Sequence, residues 1–128
     1  MLEQGKALIT GASSGIGLEL ARQFARHGHP LILTAPVESE LDDIARELEA
    51  ETRTSVRVIA HDLEKENAAR DIYEGTLSEP QPVEILVNNA GAGHLGRFWE
   101  VPMDSIISMI RLNVEAVVRL TRAASDPP

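Results

Sequence analysis

Gly11, Gly15 and Gly17, spaced four and then two residues apart, are the residues of this chain best suited to hold a ligand. They lie in Thr10-Gly11-Ala12-Ser13-Ser14-Gly15-Ile16-Gly17, after a short apolar run and before a helical pattern. In such a run the first glycine permits a tight turn and the second lets the backbone approach a pyrophosphate. The third lets the helix pack closely. The N–H groups that open the helix then face the phosphates, with the positive end of its dipole behind them. Three glycines and two serines could also form a plain turn, but the strand before and the helix after favour the pyrophosphate reading.

Other chemistries have little to draw on. With no cysteine, the chain can build no disulfide, thiol nucleophile or cysteine-ligated zinc site. His27, His29, His61 and His94 do not share the spacing of metal ligands on one face. The single tyrosine is Tyr73, followed four residues later by Leu77, and the lysines are Lys6 and Lys65.

The elements that must position the glycine loop alternate. Ala7-Leu8-Ile9-Thr10 has the length and apolarity of a buried parallel strand. A helix follows from about Gly15 to His27, with Ile16, Leu20 and Phe24 on its inner face. Arg26 and His27 suit its negative end, Gly28 a left-handed stop, and Pro30 cannot continue it. Leu31-Ile32-Leu33-Thr34 reads as a second strand. Ser39 and Asp42 resemble a capping box for a helix whose inner face is Leu41, Ile44, Ala45 and Leu48. Val56, Val58 and Ala60 alternate in a third strand ending at His61-Asp62, and a weaker helix covers about Glu64 to Leu77. Glu84-Ile85-Leu86-Val87 is a fourth strand, closed by Asn88-Asn89-Ala90-Gly91. The last helix, about Asp104 to Ala124, carries two apolar stripes: Ile106, Ile110 and Val117, and Ile107, Val114 and Val118. This order predicts one α/β domain over residues 1–128. Its parallel sheet is open and Rossmann-type, with strand order 3-2-1-4 and helices on both faces.

On these motifs the chain resembles the short-chain dehydrogenase/reductase family over nearly its whole length. Thr10 to Gly17 is similar to the family's TGxxxGIG loop, and Asn88-Asn89-Ala90-Gly91 to its NNAG motif. Asp62-Leu63 falls where the family has an Asp that meets the adenine, and Asn113 where it has a helical Asn. Singly, Asp62 could be a helix cap, Asn113 an exposed helical residue and the Asn88 to Gly91 run a polar turn; their joint occurrence carries the resemblance. It implies an NAD(P) cofactor held by Gly11, Ser13, Ser14, Gly15, Ile16 and Gly17 at the pyrophosphate, and by Thr34, Asp62 and Leu63 toward the adenosine. Asn89, Ala90 and Gly91 would pass under the ribose and help order the sheet. Asn113 would be catalytic, holding a water in a proton relay.

Two departures from the family pattern matter. Thr34-Ala35 lacks the Asp with which NAD-using members close the second strand. Ala35-Pro36-Val37 and Ser14 lack the basic residues of many NADP-using members. The missing carboxylate removes a repulsion against a 2′-phosphate and the missing arginines remove its clamp, so NADP is expected over NAD on the first ground alone. The family's catalytic Ser and Tyr-x-x-x-Lys have no counterpart, and the sequence ends at Ser125-Asp126-Pro127-Pro128, where a fifth strand should soon begin. The chain therefore reads as a cofactor-binding half, truncated before that strand. In its complete form the resemblance implies an oxidoreductase acting on alcohols or carbonyls, and this half alone is expected to be inactive.

Composition bounds the partners. Twenty acidic residues against 12 basic ones give a net charge of −8, which disfavours nucleic acid as a partner. No apolar run approaches the ~18 residues of a membrane span. Met1 to Lys6 runs straight into the first strand with no room for a leader. A cytoplasmic setting is expected, with Trp99 as a packing residue. Homo-oligomer formation is expected through the last helix or the edge of the fourth strand. Three functions stay open: an oxidoreductase portion, a non-catalytic dinucleotide-binding module, and a scaffold kept for self-association.

Overall fold

The computed structural model describes residues 4–93 and 95–125. Met1, Leu2, Glu3, His94, Asp126, Pro127 and Pro128 lie outside the described residues, as do the readings made above for the N-terminus, for His94 and for the final residues.

Four parallel strands, β1 (Lys6–Thr10), β2 (Leu31–Thr34), β3 (Val56–Val58) and β4 (Val83–Val87), stand in the order β3-β2-β1-β4, as the sequence predicts. Ala7 pairs with Leu31 on one side and Ile85 on the other, and Thr10 with Thr34 at the end of the strands where the loops converge. Residues 31–34 and 7–10 are all buried, because helices cover both faces of the sheet.

On one face α1 (Gly15–Arg26) and α2 (Glu38–Thr52) pack Ala21, Ala25, Leu41, Ala45 and Leu48 against Ala7, Ile9, Leu31 and Leu33. On the other, α3 (Ala68–Thr76) and the last helix pack Ala68, Ala69, Ile72, Leu112, Ala116 and Leu120 against Leu8 and Ile32. Each fully buried Leu or Ile contributes roughly 1.5–3 kcal/mol, so the central strands are the most stable part of the molecule.

Several expectations change at the level of local structure. The fully buried stripe of α1 is Gly17, Ala21 and Ala25; of the expected face Phe24 packs half-buried against the same core, Leu20 is half-buried and Ile16 is 73% exposed. Small residues let this helix lie close to the sheet, and the branched side chain is left beside the glycine loop. Gly28 takes the expected left-handed conformation at φ +86°. α2 begins at Glu38 behind Val37 with no side-chain cap, so Ser39 and Asp42 form no capping box; Glu38 and Glu40 meet the positive helix end instead. β3 stops at Val58, one residue pair short of Ala60, although Ile59 and His61 still donate their N–H groups to Leu33 and Ala35. α3 starts at Ala68, later than Glu64, behind a left-handed Asn67.

The last helix is interrupted. α4 (Met103–Ile110) and α5 (Ala116–Ala124) are joined by a π turn, Arg111–Glu115. A π turn adds one residue to the turn and rotates everything after it. Leu112, Ala116 and Leu120 therefore face the core, Ile110 is exposed, and α4 has no fully buried residue. No helix among the described residues is long and apolar enough to cross a membrane.

At the opposite end of the strands, Lys6 is buried with its ammonium 3.7 Å from Glu79, which also meets Arg57 at 3.6 Å. The carboxylate compensates the buried cation and ties β1 to the chain behind α3.

Candidate functional site

The glycine loop leaves β1 at Gly11, whose φ of +63° is open to few residues but glycine. A side chain there would also stand 2.9 Å from the Ala90 backbone and from Asn89 Nδ2. Gly15 opens α1 at φ +56°, with nothing within 4 Å of the place a Cβ would occupy. Gly17 is the reverse case, because a Cβ there would strike the Gly11 carbonyl and the Asn89 amide. The first glycine thus makes the turn, the third seals the loop onto the helix, and the second borders open space. No side-chain hydrogen bond caps α1 at Ser14, so the first N–H groups of the helix are not taken by that side chain.

The loop is anchored by the end of β4. Thr10 Oγ1 accepts the N–H groups of Asn89 at 3.0 Å and Ala90 at 2.9 Å. Asn89 Nδ2 donates to the carbonyls of Thr10 and Gly11, at 3.2 and 3.1 Å. Asn89 therefore ties the end of β4 to the glycine loop. Thr10, absent from the expected site residues, is the hub that joins the two strand ends; its place before Gly11 was the available signal.

A cleft of about 270 Å³ opens beside the loop, bounded by Gly11, Thr34, Asp62, Leu63, Ala90 and Gly91 from among the expected residues. Ala35, Pro36, His61, Glu64 and Leu112 complete it. Asp62 Oδ1 accepts the N–H of Glu64 at 2.9 Å, so the carboxylate orders the turn after β3 and caps no helix. Thr34 is 1% exposed and its hydroxyl has no hydrogen-bond partner among the described residues, an orphan buried donor behind the cleft wall. Ser13 is half-buried and Ser14 exposed on the loop.

Asn113 sits in the π turn, beyond Gly91. Its Nδ2 donates to Ala92 O at 2.7 Å and Met109 O at 3.0 Å, while Oδ1 accepts the Ala92 N–H at 3.2 Å. In an α-helix the Met109 carbonyl would take the N–H of residue 113; in the wide turn the side-chain amide takes it. Gly91 must be small, since a Cβ would come within 2.9 Å of Asn113 Oδ1. The side chain is thus committed to holding a turn and a loop.

Trp99 does not pack as expected: it is 77% exposed, with Arg97 5.8 Å from its ring centre, and Leu95, Phe98 and Met103 are exposed around the same segment. Tyr73 stands away from the cleft, in a groove of about 850 Å³ between α3 and α5 that also exposes Leu77 and Val118.

The chain belongs to the short chain dehydrogenase family, whose model matches residues 5–127. It is 34% identical over 124 residues to the very-long-chain 3-oxoacyl-CoA reductase of Pyricularia oryzae, covering 93% of this chain and 37% of that protein. Among solved structures it is similar to the bulky-bulky ketone specific alcohol dehydrogenase of Comamonas testosteroni. That match has a TM-score of 0.89 and 36% identity, covering 96% of this chain and 49% of the other. It is equally similar to a short-chain dehydrogenase of Sphingobium yanoikuyae in complex with NADPH, with TM-score 0.89 and 35% identity over 95% and 47% of the two chains. The chain thus spans about a third of the curated relative and about half of the solved chains.

Proposed function

We propose that this chain is the dinucleotide-binding portion of an oxidoreductase that passes hydride between NADP(H) and an alcohol or carbonyl. The observation that carries the reading is the open space over Gly15 at the uncapped start of α1, next to a cleft reached by the ends of all four strands. A pyrophosphate suits N–H donors at a helix start, with Gly11, Ser13, Ser14, Gly15, Ile16 and Gly17 around it. Thr34, Asp62, Leu63, Ala90 and Gly91 suit the adenosine. Asn89 and Asn113 act by positioning loops. When bound, the dinucleotide supplies or accepts the hydride; the residues here hold and orient it.

The NADPH complex of the Sphingobium protein supports NADP(H), and the absence of a carboxylate at Thr34-Ala35 removes the usual obstacle to it. The lack of cysteine supports a reducing, cytoplasmic setting. A homo-oligomer is supported by Val114 and Val118, 55% and 61% exposed on the last helix, and by β4 at the edge of the sheet.

Titration of NADPH into the 128-residue chain, followed by nicotinamide fluorescence, tests the reading. Saturable binding without turnover of a panel of alcohols and carbonyls is expected, since these residues include no Tyr-x-x-x-Lys. Absence of binding would overturn it.

A further inference from the structure

Among the described residues β3 pairs only with β2, so its outer side is an edge of the sheet. Backbone direction alternates along it. Ser55, Ile59 and His61 turn their backbone groups inward, to Leu31, Leu33 and Ala35. Val56 and Val58 therefore direct their N–H and C=O groups outward, where a further strand could pair with them. A groove of about 500 Å³ runs beside this edge, lined by Val56 and Val58 of the strand and by Ala45, Arg46 and Glu49 of α2.

The edge is not left bare. Glu49 Oε1 accepts the outward Val56 N–H at 3.3 Å. The turn between the two residues sets up this bond: Arg53 closes α2 in the left-handed conformation and donates its N–H to the Glu49 carbonyl. Thr54 then anchors the turn to α1, its hydroxyl donating to Ala25 O at 3.1 Å. Ion pairs of Arg22 with Glu47 and of Arg26 with Glu51 hold α2 beside α1. Glu49 thus stands on a fixed helix end opposite a fixed strand. Its carboxylate satisfies a backbone donor and occupies the place that a carbonyl of an added strand would take.

Arg57 works in the same direction. A second copy pairing its own β3 antiparallel across a two-fold axis would set Val56 opposite Val58 and Arg57 opposite the same residue of the other copy. Like charges directly opposed across a strand pair are destabilising.

We propose that Glu49 closes this edge of the sheet against a second copy of the chain, by holding the Val56 donor that pairing of β3 with β3 would use. The proposal is independent of the dinucleotide reading.

Sedimentation of the parent, E49A and E49Q at matched concentrations, from dilute to tens of micromolar, tests it. Alanine suits a helix, so E49A should fold, and an unchanged circular dichroism spectrum checks that it does. E49A should reach roughly twice the parent's mass at the highest concentration, by a two-fold contact between copies. E49Q keeps an acceptor oxygen and should stay at the parent's mass. Hydrogen exchange at the Val56 amide locates the effect. In dilute E49A it should be about tenfold faster than in the parent, the factor for a bond of roughly 1.4 kcal/mol, and should slow again as the chain associates. E49A that keeps the parent's mass at every concentration, E49Q that associates as E49A does, or Val56 exchange that is no faster in dilute E49A overturns the proposal.

Discussion

Asn113 and Ala92 are bound to each other at both ends of a side-chain amide: Nδ2 donates to the Ala92 carbonyl at 2.7 Å and Oδ1 accepts the Ala92 N–H at 3.2 Å. The same Nδ2 holds Met109 O, so one residue joins the loop after β4 to the wide turn of the last helix. Removing it with N113A should cost about 1–2 kcal/mol, the sum of two or three partly solvated hydrogen bonds. N113D keeps the acceptor and loses both donated bonds, so it should behave nearly as badly. Urea denaturation gives the loss, and faster hydrogen exchange at the Ala92 amide would locate it.

Thr10 offers a sharper contrast. Its hydroxyl oxygen takes two backbone N–H groups from the end of β4. T10V fills the same space but leaves both donors without an acceptor, at a cost of about 2–3 kcal/mol. T10S restores the oxygen and should recover most of that loss. Denaturation midpoints of the three proteins decide; equal midpoints for T10V and the parent would show that water replaces the hydroxyl.

At the glycines, the left-handed conformation of Gly15 decides which substitution is informative. At φ +56° a β-branched residue is strained, so G15V should lose about 1–3 kcal/mol of stability as well as block the open space. G15N tolerates that backbone and should fold normally while weakening NADPH binding tenfold or more, about 1.4 kcal/mol per factor of ten. Gly17 should reverse the pattern: G17A meets the Gly11 carbonyl and the Asn89 amide, so it should destabilise the fold before binding can be measured. Thermal midpoints and NADPH titrations of the three variants separate strain from obstruction.

The exposed stripe on the last helix carries the prediction about assembly. V118E places a charge at a position that is 61% exposed, so it should leave the monomer's fold intact. If this stripe meets a second copy, sedimentation at tens of micromolar, well above a Kd of about 1 μM, should change from dimer to monomer in the variant. A parent chain that sediments as a clean monomer would refute association through this face.

The strand order and the cleft were legible because they follow from signals with few alternatives: apolar runs of strand length, glycines at a strand-to-helix junction, and crossovers of one hand. Gly11, Thr34, Asp62, Leu63, Ala90 and Gly91 do border one cleft. What escaped depends on geometry that periodicity does not carry. A count of 3.6 residues per turn put Ile106, Ile110 and Val117 on one stripe, but with the π turn at Arg111–Glu115 Ile110 is exposed and Leu112, Ala116 and Leu120 are the buried residues. Spacing grouped Ile16 with Leu20 and Phe24 on one face, whereas the close approach of α1 leaves glycine and alanine as the fully buried residues of its inner stripe. Trp99 was assigned to packing by its size, and it stands 77% exposed with the Arg97 guanidinium 5.8 Å from its ring centre.

The contact of Gly17 with Gly11 and Asn89 has a thermodynamic consequence. A loop wedged between a helix start and the end of β4 has already lost its conformational freedom before any ligand arrives. Ordering a free backbone costs about 1–2 kcal/mol per residue, and seven such residues would cancel most of a typical affinity. Because folding itself fixes this loop, phosphate recognition here should carry little entropic penalty and need no slow closing step, with association limited by encounter.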